Sequence, residues 1–419
     1  VNRRFRAGGC PRLGPMPGGS AFCVRPRDLR RGAALTWVLL GVLGTAAAGG
    51  WWDRELPPAP SAEAGGRTGA QGRTPAVPSD VDPAAYRDAV ERAAAAAVAD
   101  GKSGKQAAED VVSRSGDRWG AVYDHAEYAE FEQALDGHYT GVGIFVERGR
   151  DGVVRVARVQ AGGPAARAGV RAGDLLESVD GHRATGLRPG QVVALLRGDA
   201  QRAGAGTPVV LVLRRGARTW TETLVRERLS SEPVTVTRLS GGVVMIKVGS
   251  FTKGSGARVR EAVRTAPAGA GVLLDLRGNR GGLVTEAVAA ASAFLDGGLV
   301  ATYDVRGAQR ALYADRGGDT RRPLVALIDG GTMSAAELVT GALQDRGRAV
   351  TVGTRTFGKG SVQMPTELPD GSVAELTVGH YRTPSGRSLD GRGISPDLVA
   401  ADGAEERARG VLGGLGAAP

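Results

Sequence analysis

Cysteine is almost missing from this chain of 419 residues: Cys10 and Cys23 are the only two, and both stand near the start. The rest of the chain therefore has no disulfide framework and no thiol chemistry. Lysine is nearly as scarce, with Lys102, Lys105, Lys247, Lys253 and Lys359 against a large excess of arginine. A lysine at a site is correspondingly informative. Histidine is limited to His125, His138, His182 and His380, so few imidazoles are available as bases.

The net charge of +10 invites a nucleic-acid reading, but its distribution excludes one. Residues 1–31 hold eight arginines and one acid, Asp28, for +7, which leaves +3 for everything after them. A basic stretch confined to one tail and followed by an apolar run is a topology signal rather than a phosphate-binding groove. That run, residues 32–52, has no charge and is long enough to cross a hydrocarbon core of ~30 Å. It reads as a transmembrane signal anchor behind a basic cytoplasmic tail (1–31). The alternative is a cleaved signal peptide, with small residues in "TAAAGG" and a secreted product. The expected location is the cell membrane, single-pass, with the bulk of the protein outside the cytoplasm.

Residues 53–82 are rich in proline, glycine and alanine without periodicity and read as a disordered linker. Residues 83–136 read as an N-terminal helical segment, from "AAYRDAVERAAAAAVADG" to "DHAEYAEFEQALDG". Residues 137–228 turn to short β runs punctuated by glycine. Their order (strand, glycine turn, strand, small-residue helix, "GDLLESVDG", helix, strand) resembles a PDZ domain. That resemblance implies a loop of Gly141, Val142, Gly143 and Ile144 whose backbone N–H groups take the C-terminal carboxylate of a peptide. From 229 to 400 helices and apolar strands alternate, the mark of an α/β core. Residues 401–419 read as a short helix and tail.

The stretch "LVALIDGGTMSAAELVTGALQD" runs an apolar strand into a Gly-Gly turn and opens a helix at Ser334. Free N–H groups at a helix start can stabilise an oxyanion, so Ser334 is a candidate nucleophile. The competing reading is a helix cap, since Glu337 completes a capping box. A serine nucleophile needs a base. His380 alternates along a strand and looks ordinary, whereas Lys359 in "RTFGKGSVQ" sits between glycines with Phe357 and Val362 nearby. Burial would turn such a lysine toward the neutral amine that a general base requires. Gln363, four residues on, is placed to hold that amine.

"GGTMSAAELVTGALQDRGRAVTVGTRTFGKGSVQ" resembles the active-site segment of the carboxyl-terminal processing proteases, the S41 family of serine peptidases. "LLDLRGNRGG" is similar to the family's "LDLRxNxGG" loop, and "HYRTPSGRSLDGRGISPD" to its C-terminal motif. The resemblance spans roughly residues 83–400. It implies an α/β protease core (S41, crotonase/ClpP-like) with an inserted PDZ-like β-rich domain and the N-terminal helical segment. By position, Ser334 would be the nucleophile, Lys359 the general base and Gln363 its orienting residue. The backbone of Ala335, with that of Gly281 or Gly282, would form the oxyanion hole. Ala336 replaces a serine usual in the family, Arg280 a proline and Gly278 an asparagine.

The resemblance further implies a membrane-anchored serine endopeptidase that takes protein or peptide substrates by their free C-termini. No metal and no organic cofactor is called for. Arg197, in "LLRGD", is a candidate for coupling the PDZ-like domain to the core, and self-association is left open. A catalytically dead PDZ adaptor and a Ser-His esterase are the rival readings.

Overall fold

A computed structural model of the chain describes residues 82–149, 151–187, 189–198, 204–305 and 308–416. The membrane-spanning helix expected over residues 32–52 is corrected. No helix among the described residues is long and apolar enough to cross a membrane, and 32–52 lies outside them. The single-pass location, the membrane partner and the anchored form of the enzyme fall with it. The tail 1–31 and most of the linker 53–82 also lie outside the described residues.

Two helices open the described part. Pro83–Ala99 starts on Asp82, whose side chain accepts the Ala84 N–H, with proline in the first turn where a missing N–H costs nothing. Gly104–Ser115 is capped by Ser103 and stopped by Gly116 in the left-handed conformation. They bury Tyr86, Val90, Ala94, Ala108 and Val112 against Leu368, Ala374 and Leu376. A third helix, His125–Leu135, carries a complete capping box from Asp124 and Glu127. Between the second and third helices, Ala121–Tyr123 is a strand rather than part of a continuous helical segment. Three residues are too few to show alternation in a sequence, and the strand exists because Val373–Arg382 pairs with it.

The chain enters a β-rich module through His138–Gly141 and leaves it through Glu227–Ser230. These two strands pair antiparallel, so the module is inserted on its own two-stranded stalk. Inside, a six-stranded sheet encloses a separate core that includes Val156, Leu176, Leu196, Leu211 and Leu213. Strand Ile144–Arg148 is one edge of that sheet, with helix Pro189–Arg197 against it.

The remaining chain builds an α/β core on a six-stranded sheet in the order Val234–Arg238, Val244–Val248, Val272–Asp275, Leu324–Ile328, Val350–Gly353, Leu398–Val399. All neighbours except the first pair are parallel. Val272–Asp275 and Leu324–Ile328 are buried at every residue, as strands covered on both faces must be. Helices Ser255–Thr265, Val284–Ser292 and Ala335–Asp345 contribute to one core layer. Helix Ala404–Gly414 contributes to the other, through Ala404, Ala408 and Leu412 at four-residue spacing.

Three consecutive parallel strands end level with one another: Asp275 lies opposite Leu327, and Ile328 opposite Gly353. The loops that leave these carboxyl ends carry, in order, the glycine loop after Asp275, Ser334 and Lys359. Crevices at strand carboxyl ends are where open α/β sheets place their sites. A second sheet, centred on Val373–Arg382, supplies the opposite wall through Ser361–Glu367 and Ala121–Tyr123.

Candidate active site

The turn before Ser334 is stitched to the glycine loop beside it. Asp329 Oδ1 accepts the N–H groups of both Gly331 and Gly278, at 2.9 Å each. Thr332 Oγ1 donates to the Leu276 carbonyl at 2.9 Å, and the Met333 N–H donates to the Asn279 carbonyl at 2.8 Å. A Cβ on Gly331 would stand 2.9 Å from Gly278 Cα, so a side chain there would force the loops apart. The chain then arrives at Ser334 with φ 57° and ψ −116°, a conformation that L-residues rarely adopt. Such strain persists only where surrounding contacts impose it.

The cap reading of Ser334 can be examined atom by atom. Glu337 does reach back to the Ser334 N–H, at 2.8 Å. The Glu337 N–H, however, goes to the Ser334 carbonyl at 2.7 Å, and Ser334 Oγ is buried without a hydrogen-bond partner. Only half of the expected box forms, and the hydroxyl is left unused by the helix.

Glu337 is fully buried and gathers the lysine loop as well. Its Oε2 accepts the Lys359 N–H at 2.9 Å, and its Oε1 accepts the Gly358 N–H at 2.8 Å and the Thr356 hydroxyl at 2.6 Å. Burial pushes this carboxyl up, against the opposing pull of those donors. The Phe357 N–H donates to the Thr332 carbonyl at 3.0 Å, tying the lysine loop directly to the serine turn.

The Lys359 side chain is itself buried, at 1% exposure. Its Nζ lies 4.8 Å from the centre of the Trp119 ring, and Trp119 meets Phe357 edge-on at 5.6 Å. Loss of water pulls the ammonium down to about 8, while Glu375, Asp117, Asp390 and Glu337 act in the opposite direction. The amine thus exchanges its proton within the working range of a general base.

Gln363 lies on Ser361–Glu367, just beyond the lysine. Its Nε2 donates to Ser361 Oγ at 2.8 Å and Thr377 Oγ1 at 3.1 Å, and Thr377 Oγ1 donates on to Asp117 at 2.7 Å. Its Oε1 is buried without a partner. The amide is therefore held from one end, with its acceptor end unspent.

The glycine loop separates two residues that the sequence left equivalent. The Gly281 N–H is bound to Asn279 Oδ1 at 2.8 Å, whereas the N–H of Gly282 has no partner among the described residues. The N–H of Ala335, at the start of its helix, likewise has no recorded partner outside the helix. Gly282 has φ 135°, and a Cβ there would run into the Phe251 backbone. Asp275 anchors the loop's start by accepting from Lys247 at 3.0 Å and from Arg277 at 2.8 Å. Burial works against its charge, and Arg277 and Lys247 more than offset this to hold the carboxyl low.

Other expected residues lie elsewhere. Gly141, Val142, Gly143 and Ile144 join the stalk strand to the edge strand of the β-rich module, and Gly143 has φ 77°. Arg197 ends the helix beside that edge, its guanidinium 5.4 Å from the centre of the Tyr139 ring. His380 is exposed and faces Asp390 at 3.6 Å. Among the described residues, no group of three His, Cys, Asp or Glu could hold a metal ion.

Sequence reasoning passed over Trp119, Asn279 and Glu375, and it treated Glu337 as a cap alone. Asn279 had a signal, since it is the fixed polar residue of the "LDLRxNxGG" pattern. Trp119 and Glu375 had none, because they reach the lysine from distant parts of the chain.

Comparison with known proteins places the chain in a family. The family description "Peptidase family S41" matches residues 242–400, and "PDZ domain" matches residues 155–215. A carboxy-terminal-processing protease of Bartonella bacilliformis is 33% identical over 303 residues, spanning 68% of each chain. A chloroplastic C-terminal processing peptidase of Tetradesmus obliquus is 35% identical over 292 residues, 64% of this chain and 62% of the relative. Among solved structures, a photosystem II D1 C-terminal processing protease is similar at 30% identity, with a TM-score of 0.48 over 75% of this chain and 86% of that one.

Proposed function

Since the chain belongs to peptidase family S41, as a serine-type carboxyl-terminal-processing endopeptidase with a PDZ domain, we propose that it cuts substrates by a Ser334–Lys359 mechanism after capturing their free C-termini. The observation that carries the mechanism is the buried Lys359 amine, whose loop shares Glu337 with the unpartnered serine.

In this reading a peptide's C-terminal carboxylate docks on the N–H groups around Gly141, Val142, Gly143 and Ile144. The peptide adds as a strand beside Ile144–Arg148, and an upstream bond reaches Ser334. Neutral Lys359 accepts the Ser334 hydroxyl proton as Oγ attacks the carbonyl carbon. The oxyanion is held by the N–H groups of Ala335 and Gly282, each worth roughly 3–4 kcal/mol where such donors have been removed in other enzymes. Lys359 passes its proton to the leaving amine as the C–N bond breaks, giving an acyl-serine. It then takes a proton from water, which attacks the ester, and returns that proton to Ser334 Oγ. Gln363 orients the lysine through its free Oε1. Gly281, its N–H spent on Asn279, supports the loop rather than the oxyanion.

The test is turnover of an unstructured protein with a free C-terminus by the full chain, beside Ser334→Ala and Lys359→Ala. Loss of cleavage in both folded variants is expected. Retained cleavage in Lys359→Ala would defeat the assignment of the base.

A further inference from the structure

Four acidic side chains act on the charge of Lys359: Glu375, Asp117, Asp390 and Glu337. Three of them are already engaged. Asp117 accepts the Thr377 hydroxyl and N–H and the Trp119 N–H. Glu337 holds four donors, and Asp390 accepts the Gly360 N–H at 3.1 Å and faces His380. Glu375 alone of the four has a buried oxygen, Oε1, without a hydrogen-bond partner. The catalytic scheme above gives it no task. A buried carboxyl left in this state is costly unless something nearby compensates it.

Its placement supplies the compensation. Glu375 lies on Val373–Arg382, paired with Ala121 on one side and Pro365 on the other. Two residues along the same face, Thr377 meets Gln363 and Asp117. Two residues before Ala121, Trp119 covers the lysine Nζ. Glu375 therefore stands in the wall that shields Lys359 from water.

We propose that Glu375 is a positioning residue of this site, the electrostatic partner that governs when Lys359 gives up its proton. The inference rests on Lys359 being the base. Glu375 acts through its charge: while ionised it favours the ammonium on Lys359, and once protonated it no longer does. Burial pushes Glu375 up to about 8, and Lys359 is the one charge that opposes it, so both groups exchange protons over the same range. The other titratable groups facing Glu375 are phenols. Tyr123 and Tyr128 are both pushed up, by burial first and then by Glu375, and stay neutral throughout.

The experiment is the pH profile of kcat/KM for wild type, Glu375→Gln and Lys359→Ala. Glutamine keeps the shape of the neutral acid but can never carry the charge that holds a proton on Lys359. The midpoint of the rise in kcat/KM should move to lower pH by on the order of one unit. A folded, active Glu375→Gln with an unmoved midpoint would overturn the inference and leave the base intact. Turnover by Lys359→Ala would instead show that the base assignment itself fails, and this inference with it. Should Glu375→Gln not fold, the double variant Lys359→Met, Glu375→Gln should, because both partners are then gone. Failure of that double variant to fold would equally overturn the pairing.

Discussion

Ser334 and Lys359 donate their backbone N–H groups to one and the same oxygen, Glu337 Oε2, at 2.8 and 2.9 Å. The two residues proposed for the chemistry come from loops after different strands, so nothing in the chain's local geometry sets their spacing. A single fully buried carboxylate does, and its other oxygen fixes Gly358 and Thr356 at the same time. Glu337 is thus less a helix cap than the joint between the serine turn and the lysine loop.

Glu337→Gln should therefore be far from conservative. An amide has one acceptor oxygen, and its NH2 would confront two of the four donors now bound. Leaving buried donors unpaired costs about 1–3 kcal/mol each, so for two of them a stability loss of about 2–6 kcal/mol is expected in urea unfolding. kcat/KM should fall by at least two orders of magnitude, since small misplacements of reacting groups carry such losses. Activity near wild type would mean that the joint does not position the pair.

Ser334 offers a separate test, because its φ of 57° strains any side chain with a Cβ. Ser334→Ala keeps the strain and Ser334→Gly relieves it. Both should be inactive, yet Ser334→Gly should unfold at higher temperature than Ser334→Ala, by an amount equivalent to ~1 kcal/mol. Equal melting temperatures would show that the turn is not held against its own preference.

The lysine's depressed value has consequences for rate and for stability, and both improve as pH rises. Hydrolysis needs the neutral amine, so kcat/KM should rise with pH and level off above about 8. In the unfolded chain the same group keeps its ordinary value of 10.5, so between about 8 and 10.5 the folded state binds fewer protons. Lys359 therefore costs stability below about 8, and the cost is relieved as pH climbs toward 10.5. The shift corresponds to roughly 3 kcal/mol. Lys359→Met should be more stable than wild type at pH 7, with the advantage shrinking by pH 9.5. A variant less stable at pH 7 than at pH 9.5, each relative to wild type, would contradict the burial argument.

What could be read from the sequence follows from how local each signal is. The strand–turn–helix at Ser334 and the lysine between two glycines are short contiguous patterns, and the alternating α/β core is a succession of such patterns. The "S-x-x-E" spacing is equally visible and equally ambiguous, because a cap and a joint need the same two residues. Only the unpartnered Ser334 Oγ distinguishes them. The aromatic lid and the buried acid could not be read, since Trp119 and Glu375 are joined by a three-residue strand hidden between helices. Gly281 and Gly282 look identical in sequence, and only the Asn279 side chain makes them different. The apolar run at 32–52 shows the opposite error: a strong compositional signal was extended to a location that no described helix supports.

Arg197 gives the clearest way to ask whether peptide capture and cleavage communicate. Burial holds its guanidinium below the usual arginine range, while Tyr139 and Glu130 act to keep the charge. Tyr139 belongs to the stalk strand, Glu130 to the helix before it, and Arg197 to the helix beside the edge strand Ile144–Arg148. A Cβ on Gly141 would lie 3.9 Å from Arg197 Cγ, so the arginine also borders the first glycine of the proposed carboxylate loop. One side chain thus touches the route by which a docked C-terminus would be felt outside its module. An arginine over an aromatic ring contributes ~0.5–2 kcal/mol. Arg197→Ala should lower kcat for a protein with a free C-terminus by up to about tenfold while the protein stays folded, its melting temperature falling by no more than the loss of that ~0.5–2 kcal/mol contact explains. The same protein with an amidated C-terminus should be cut slowly by wild type and variant alike. Full activity of Arg197→Ala on the free C-terminus would show that the stalk carries no signal through this residue.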